Sequence, residues 1–229
     1  MVEVIALNIA NTYRLNQLLN LISPQKQKKL KSIKDSLSAQ QGLASELLAR
    51  AVICNKLGWQ NSAIEFCYND FGKPILCNAR DFHFNLSHSG DWVVMAISSA
   101  DVGIDIEQVV PLDLSIAQHF FSAREYHKLN SLPVSLQLNF FYQIWTLKES
   151  YIKMTGQGLS IALDSFSIQL EGKVGYPRLL TEKPGQIFFH QYDMQSSYKL
   201  AVCAQEDSFS PQLTEIDEDF LIIMLDYLY

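Results

Sequence analysis

The chain has 229 residues, room for one large domain or two small ones, and its 48% hydrophobic and 18% charged residues are ample for a packed core. A net charge of −6 argues against a general nucleic-acid surface or an anionic membrane surface, both of which need clustered positive charge. No apolar run approaches the roughly 20 residues of a spanning helix, and Met-Val-Glu-Val-Ile lacks the basic start of a signal peptide, so a cytoplasmic protein is expected. Cys54, Cys67, Cys77 and Cys203 show no CxxC spacing and no nearby histidine pattern, so they are expected to be buried thiols rather than zinc ligands or disulfides.

Glu3 to Ile9 alternates enough for a strand. Ser23-Pro24 opens a helix, serine as cap and proline at the first helical position. Ser38 to Gln41 fits a capping box ahead of a second helix ending near Gly58. Phe82, Phe84 and Leu86 alternate with polar partners. The Ser89-Gly90-Asp91 turn then leads into Trp92 to Ile97, which gives a hairpin.

Gly103-Ile104-Asp105-Ile106-Glu107 reads as a strand. Val102, Ile104 and Ile106 point one way, and Gly103, Asp105 and Glu107 the other. The glycine is expected to leave room for a ligand beside the carboxylates. From 114 to about 155 the pattern is helical, broken near Asn130 to Pro133. In this region Trp145-Thr-Leu-Lys148-Glu149-Ser150-Tyr-Ile-Lys153 starts 42 positions after Gly103. Ile144, Leu147, Tyr151 and Met154 form its apolar stripe, and Trp145, Glu149 and Lys153 lie on another face. If the two faces meet, three carboxylates and a lysine converge. A hard divalent ion such as Mg²⁺ relieves their repulsion and keeps positions open for phosphates. Strands follow at Ser165 to Leu170, Gln186 to Tyr192 and Tyr198 to Ala204. An acidic then apolar tail, Phe220 to Leu225, is expected to dock on the body. Two blocks of helices followed by strands emerge, with a split expected between 1–101 and 102–229.

Together the two segments resemble the signature of the 4′-phosphopantetheinyl transferases, (V/I)G(I/V)D(I/V)E and then (F/W)xxKE(S/A)xxK. Ser23-Pro24-Gln25-Lys26, Phe71-Gly72-Lys73-Pro74, Phe84-Asn85-Leu86-Ser87-His88-Ser89 and Phe120-Phe121-Ser122 with Glu125-Tyr126 extend the resemblance from about residue 22 to 204. It is most similar to the larger, surfactin-synthetase-activating type, not the half-length type that trimerises. The resemblance implies two similar α+β halves related by a pseudo-twofold, an active site between them and a monomer. It implies transfer of phosphopantetheine from coenzyme A to a serine of an apo acyl or peptidyl carrier protein, without nucleic acid or membrane. A Mg²⁺-dependent phosphohydrolase acting on coenzyme A and a non-catalytic coenzyme A-binding protein are the alternatives.

The expected metal-holding residues are Asp105, Glu107 and Glu149. Lys153 and His88 would neutralise phosphate charge, and Glu149 or Glu125 would accept the serine proton. The resemblance also implies that Ser87 and His88 contact coenzyme A phosphates, that Lys73 lies on the adenine side, and that Lys26 and Lys29 reach the 3′-phosphate. Each has a plainer reading. Asp105 and Glu107 fit a solvent-facing strand, Glu149 with Lys153 a helical i, i+4 pair, and the lysines from 26 to 31 a solvated face. Ser122-Ala-Arg-Glu125 is itself a capping box. Gln41-Gly42 departs from the arginine with serine or threonine common in relatives, which weakens the case for tight 3′-phosphate recognition. The resemblance implies that the stretch Leu114, Ile116, Ala117, Phe120 and Phe121 meets the carrier; helical spacing puts Leu114, Ala117 and Phe121 on a buried stripe and Ile116 and Phe120 on a neighbouring face.

Overall fold

The computed structural model describes residues 1–171, 176–180 and 186–226. In chain order the elements are β1 (Glu3–Asn8), α1 (Pro24–Lys31), α2 (Ser36–Leu57), β2 (Phe66–Tyr68), β3 (Pro74–Leu76), β4 (His83–Ser89), β5 (Trp92–Ser98) and β6 (Val102–Gln108). Then come α3 (Ala117–Phe120), α4 (Ala123–Ser131), α5 (Val134–Thr155), β7 (Ser167–Glu171), β8 (Tyr176–Leu180), β9 (Phe188–Tyr192), β10 (Tyr198–Ala204), β11 (Thr214–Ile216) and α6 (Glu218–Asp226).

Two α+β halves repeat one topology. The first runs β1, α2, then the β4–β5 hairpin, with sheet order β1-β5-β4. The second runs β6, α5, then the β9–β10 hairpin, with order β6-β10-β9. Helices α2 and α5 are both 22 residues long. Each ends on a glycine in the left-handed region, Gly58 (φ 66°) and Gly156 (φ 69°), where a side chain would be strained. The tail crosses back to the first half: β11 adds parallel to β1, and α6 packs on α2.

Alternation explains the layering. Leu7, Val93 and Met95 turn toward α2, and Val4, Ala6, Val94 and Ala96 turn toward the second sheet. There they meet Val102, Ile104, Ile106 and Val202, so the two sheets share a dry core. The opposite face of the second sheet, Ala201 and Cys203, packs on α5 with Leu147 and Met154. Burial of such side chains contributes about 1.5–3 kcal/mol each and is the main force joining the halves.

Three expectations need correction. The cap of α2 is Asp35, whose Oδ2 accepts from Ser38 N–H at 2.6 Å; Ser38 to Gln41 already lie inside the helix. An aspartate one turn upstream takes the exposed amide first. Cys67 and Cys77 are joined by a disulfide, whereas Cys54 and Cys203 are buried thiols. The β2–β3 hairpin, which the chain pattern did not announce, brings the pair together. The third correction concerns Gly103 and opens the site.

Candidate active site

A Cβ on Gly103 would collide with the backbone of α5 at Ser150, Lys153 and Met154. The glycine leaves room for a helix, not for a ligand. This close approach sets Asp105, two residues on and on the same face, against the last turn of α5. Asp105 Oδ1 accepts from Lys153 Nζ at 2.6 Å and from Ser87 Oγ at 3.0 Å. Lys153 Nζ also reaches Ser87 Oγ at 3.0 Å. The sequence-predicted Asp105, Ser87 and Lys153 are thus brought together by three elements, β4, β6 and α5.

Asp105 is only 3% exposed, and its Oδ2 is buried with no hydrogen-bond partner. Burial pushes its carboxyl up, against the pull of Lys153 and Ser87. Glu107 and Glu149 are each pushed up to about 7, first by burial and then by the charge of Asp105. Mutual repulsion of this kind is felt only by carboxylates facing one region. Among the described residues, no three His, Cys, Asp or Glu side chains form a ready-made metal cage. The donor chemistry nevertheless fits a hard cation: an orphaned buried carboxylate oxygen and two further carboxylates pushed up by burial and by the charge of Asp105.

Beyond this cluster a cleft of about 780 Å³ opens in the first half, lined by α1, α2 and the β2–β3 hairpin. Lys26 and Lys29 line it, as do Gly72 and Pro74 on the opposite wall. The Ser23 cap, whose Oγ accepts Lys26 N–H at 3.2 Å, orients α1. Burial lowers the Lys26 ammonium, with Glu46 pulling the other way across 3.9 Å. His88 is exposed on the end of β4, and its imidazole is lowered by desolvation and by Lys153 and Lys26. His88 therefore feels both the α5 lysine and the α1 lysine, which joins the two ends of the region.

Two residues of the cleft escaped the sequence analysis. Arg50 is buried, donates from Nε to Glu46 Oε1 at 3.0 Å and from Nη1 to Asn61 Oδ1 at 3.0 Å, and lies over the Phe66 ring. An i, i+4 Glu-Arg pair is the available signal, but the same spacing describes any solvated helix face.

Two predicted residues stand elsewhere. Lys73 does not line the cleft; its Nζ donates to Val102 O at 3.0 Å and Met154 O at 3.2 Å, and burial brings it down to about 8. It clamps the 69–73 turn onto the start of β6 and the end of α5, helped by Asn69, whose amide donates to Gly156 O. Glu125 is the N3 residue of a complete capping box with Ser122. Its Oε1 accepts from Ile168 N–H at 2.6 Å, and its Oε2 pairs with the fully buried Lys148 at 2.8 Å. Lys148 in turn donates to Leu163 O and Phe166 O. This network fixes α4 and the 163–168 segment to α5 and does not bring Glu125 into the acidic cluster. Gln41, whose amide donates to Gly90 O at 2.9 Å, is buried away from the cleft lining, and Gly42 makes room for Leu30.

A family model for the 4′-phosphopantetheinyl transferase superfamily matches residues 101–203, and one for the 4′-phosphopantetheinyl transferase N-terminal region matches 10–100. The 4′-phosphopantetheinyl transferase Sfp of Bacillus subtilis is 37% identical over 89% of this chain and 91% of its own. The psf-1 transferase of Bacillus pumilus is 37% identical over 84% and 83%, and gsp of Aneurinibacillus migulanus 34% identical over 89% and 86%. A solved holo-(acyl-carrier-protein) synthase from Bacillus anthracis shows a limited likeness, with 17% identity and a TM-score of 0.41 over 46% of this chain and 94% of its own. The chain belongs to the 4′-phosphopantetheinyl transferase superfamily. Within it the chain falls in the Sfp-type group, enzymes that move the phosphopantetheine arm of coenzyme A onto carrier proteins.

Proposed function

We propose that the acidic cluster of β6 and α5 is where a carrier serine attacks the coenzyme A phosphate bonded to pantetheine, releasing adenosine 3′,5′-bisphosphate. The observation that carries this reading is the buried contact of Asp105, Ser87 and Lys153 at the junction of the halves. Asp105, Glu107 and Glu149 would hold Mg²⁺, which when bound offsets the charge of the pyrophosphate. Phosphoryl transfer asks the protein mainly for positioning and for charge neutralisation.

Lys153 neutralises charge on the transferring phosphate, and Ser87 holds the ammonium and Asp105 in one arrangement. His88, whose imidazole is lowered by burial and by Lys153 and Lys26, offers a ring N–H to an arriving phosphate. Lys26 and Lys29, across the cleft, take the remote 3′-phosphate. Glu149 also offers a carboxylate as the proton acceptor for the serine. Glu125 serves by fixing Lys148 and so α5, and Lys73 by fixing the cleft wall. The carrier docks beside the cluster at Ile116 and Phe120. Ile116 is 37% exposed, and Phe120 is half-buried, edge-on to Trp145.

Both halves of the site come from one chain, which supports a monomer split near 101/102. No helix among the described residues is long and apolar enough to cross a membrane. We place the enzyme in the cytoplasm, serving acyl or peptidyl carriers. The test is single-turnover transfer to an apo carrier by wild type and Asp105→Ala, with Mg²⁺ or chelator. Asp105→Ala and chelation should each lower the rate by about 10²-fold or more while the fold survives. Full activity in excess chelator would remove the metal from the mechanism.

A further inference from the structure

The edge strands of the two sheets, β4 and β6, run side by side, joined through side chains. Every second residue of β4 takes one amide of β6. Asn85 Oδ1 accepts from Ile104 N–H at 2.9 Å, Ser87 Oγ from Ile106 N–H at 3.3 Å, and Ser89 Oγ from Gln108 N–H at 3.0 Å. The constant offset of 19 residues makes the strands parallel. A hydroxyl whose oxygen already accepts an N–H is left with its proton to place. Ser87 gives it to Asp105 Oδ1, and Ser89 gives it to Glu107 Oε2, each at 3.0 Å. Among the described residues, Asn85 makes no such bond to a carboxylate. The stitching that joins the halves therefore also orients the acidic side chains.

We propose that Ser89 is a positioning residue for Glu107. It holds Oε2, restrains the glutamate side chain and leaves the other oxygen for the divalent ion. This rests on the reading of Glu107 as a metal-holding residue. Ser87 is a poorer probe, because Lys153 Nζ shares its oxygen. Among the described residues, the Ser89 hydroxyl bonds to Glu107 and to one backbone amide, so its effect on the ion runs through Glu107. A hydrogen-bonded outer partner of a ligand commonly tunes metal affinity roughly 10–100-fold.

The experiment is titration of the full-length protein, with coenzyme A present, by Mn²⁺ followed by electron paramagnetic resonance, alongside thermal melting. Ser89→Ala should weaken Mn²⁺ binding about tenfold or more, and Ser89→Thr, which keeps the hydroxyl, should restore it. Asn85→Ala removes an equivalent amide partner without touching a carboxylate. It should cost comparable stability and leave Mn²⁺ affinity unchanged. Ser89→Cys, close in volume but a weak donor, should also weaken binding and serves if Ser89→Ala fails to fold. If Asn85→Ala weakens binding as much as Ser89→Ala, or if neither Ser89→Ala nor Ser89→Cys weakens it, Ser89 only joins the halves and the inference falls. If wild type itself binds no Mn²⁺, the metal reading fails and takes this inference with it.

Discussion

Lys153 Nζ lies 2.6 Å from Asp105 Oδ1, across the place where Gly103 lets β6 touch the backbone of α5. The lysine sits in the last turn of its helix, where the peptide dipole favours a cation. The aspartate is buried and would be costly as a lone charge. Lys153→Ala should therefore lower kcat by about 10²–10³, with little change in KM for coenzyme A. Steady-state kinetics with an apo carrier decides this; a change confined to KM would place Lys153 in binding alone.

The lysines of α1 should behave in the opposite way. Lys26 and Lys29 line the cleft, whose lining includes none of Asp105, Glu107 and Glu149. The Lys26→Ala, Lys29→Ala double variant should raise KM for coenzyme A about tenfold, the order expected for lost charge-assisted contacts, with kcat nearly held. Gln41 donates to Gly90 O and offers no charge to the cleft, so discrimination against dephospho-coenzyme A should be weak. An unchanged KM in the double variant would make α1 a merely solvated face.

Burial, and then the charge of Asp105, push Glu107 and Glu149 from about 4.5 up to about 7 in the folded chain, so the folded form holds their protons more tightly. Their contribution to stability is complete below about 4.5 and is lost as pH rises through about 7. Relative to the Glu107→Gln, Glu149→Gln variant, wild type in chelator should lose melting temperature across that window. A difference that stays constant with pH would contradict the repulsion inferred among the carboxylates.

Lys148 and Glu125 form a buried pair at 2.8 Å, with Lys148 fully enclosed. Lys148→Ala strands the glutamate and should cost about 3–5 kcal/mol in chemical denaturation, the range for breaking a buried pair from one side. A loss below about 1 kcal/mol, the range of exposed pairs, would show that water reaches Glu125.

Ile116→Glu tests the carrier face. Ile116 is exposed, whereas its neighbours Ala117 and Phe121 are enclosed. KM for the carrier should rise while KM for coenzyme A and the melting temperature hold. A large drop in melting temperature instead would make Ile116 part of the core.

What the sequence disclosed follows from which interactions are local. The alternation of 102–107, the stripe of 144–154 and the Ser122–Glu125 cap depend on residues a few positions apart, and all three appear in the structure. The occupant of the space beside Gly103 is a helix 47 to 51 residues later, which no local pattern reveals. The same holds for Cys67 with Cys77, separated by 10 residues until a short hairpin closes them. It holds too for Lys73, drawn to carbonyls at positions 102 and 154. Strand β11, only three residues long, pairs with β1 from the far end of the chain.

The central claim is transfer of phosphopantetheine to a carrier serine, and intact mass of an apo carrier measures it most directly. After incubation with this protein, coenzyme A and Mg²⁺, the carrier should gain about 340 Da on one serine, as group transfer of this kind requires. Loss of adenosine 3′,5′-bisphosphate from coenzyme A with no mass gained by carriers from several pathways would contradict the claim and point to hydrolysis.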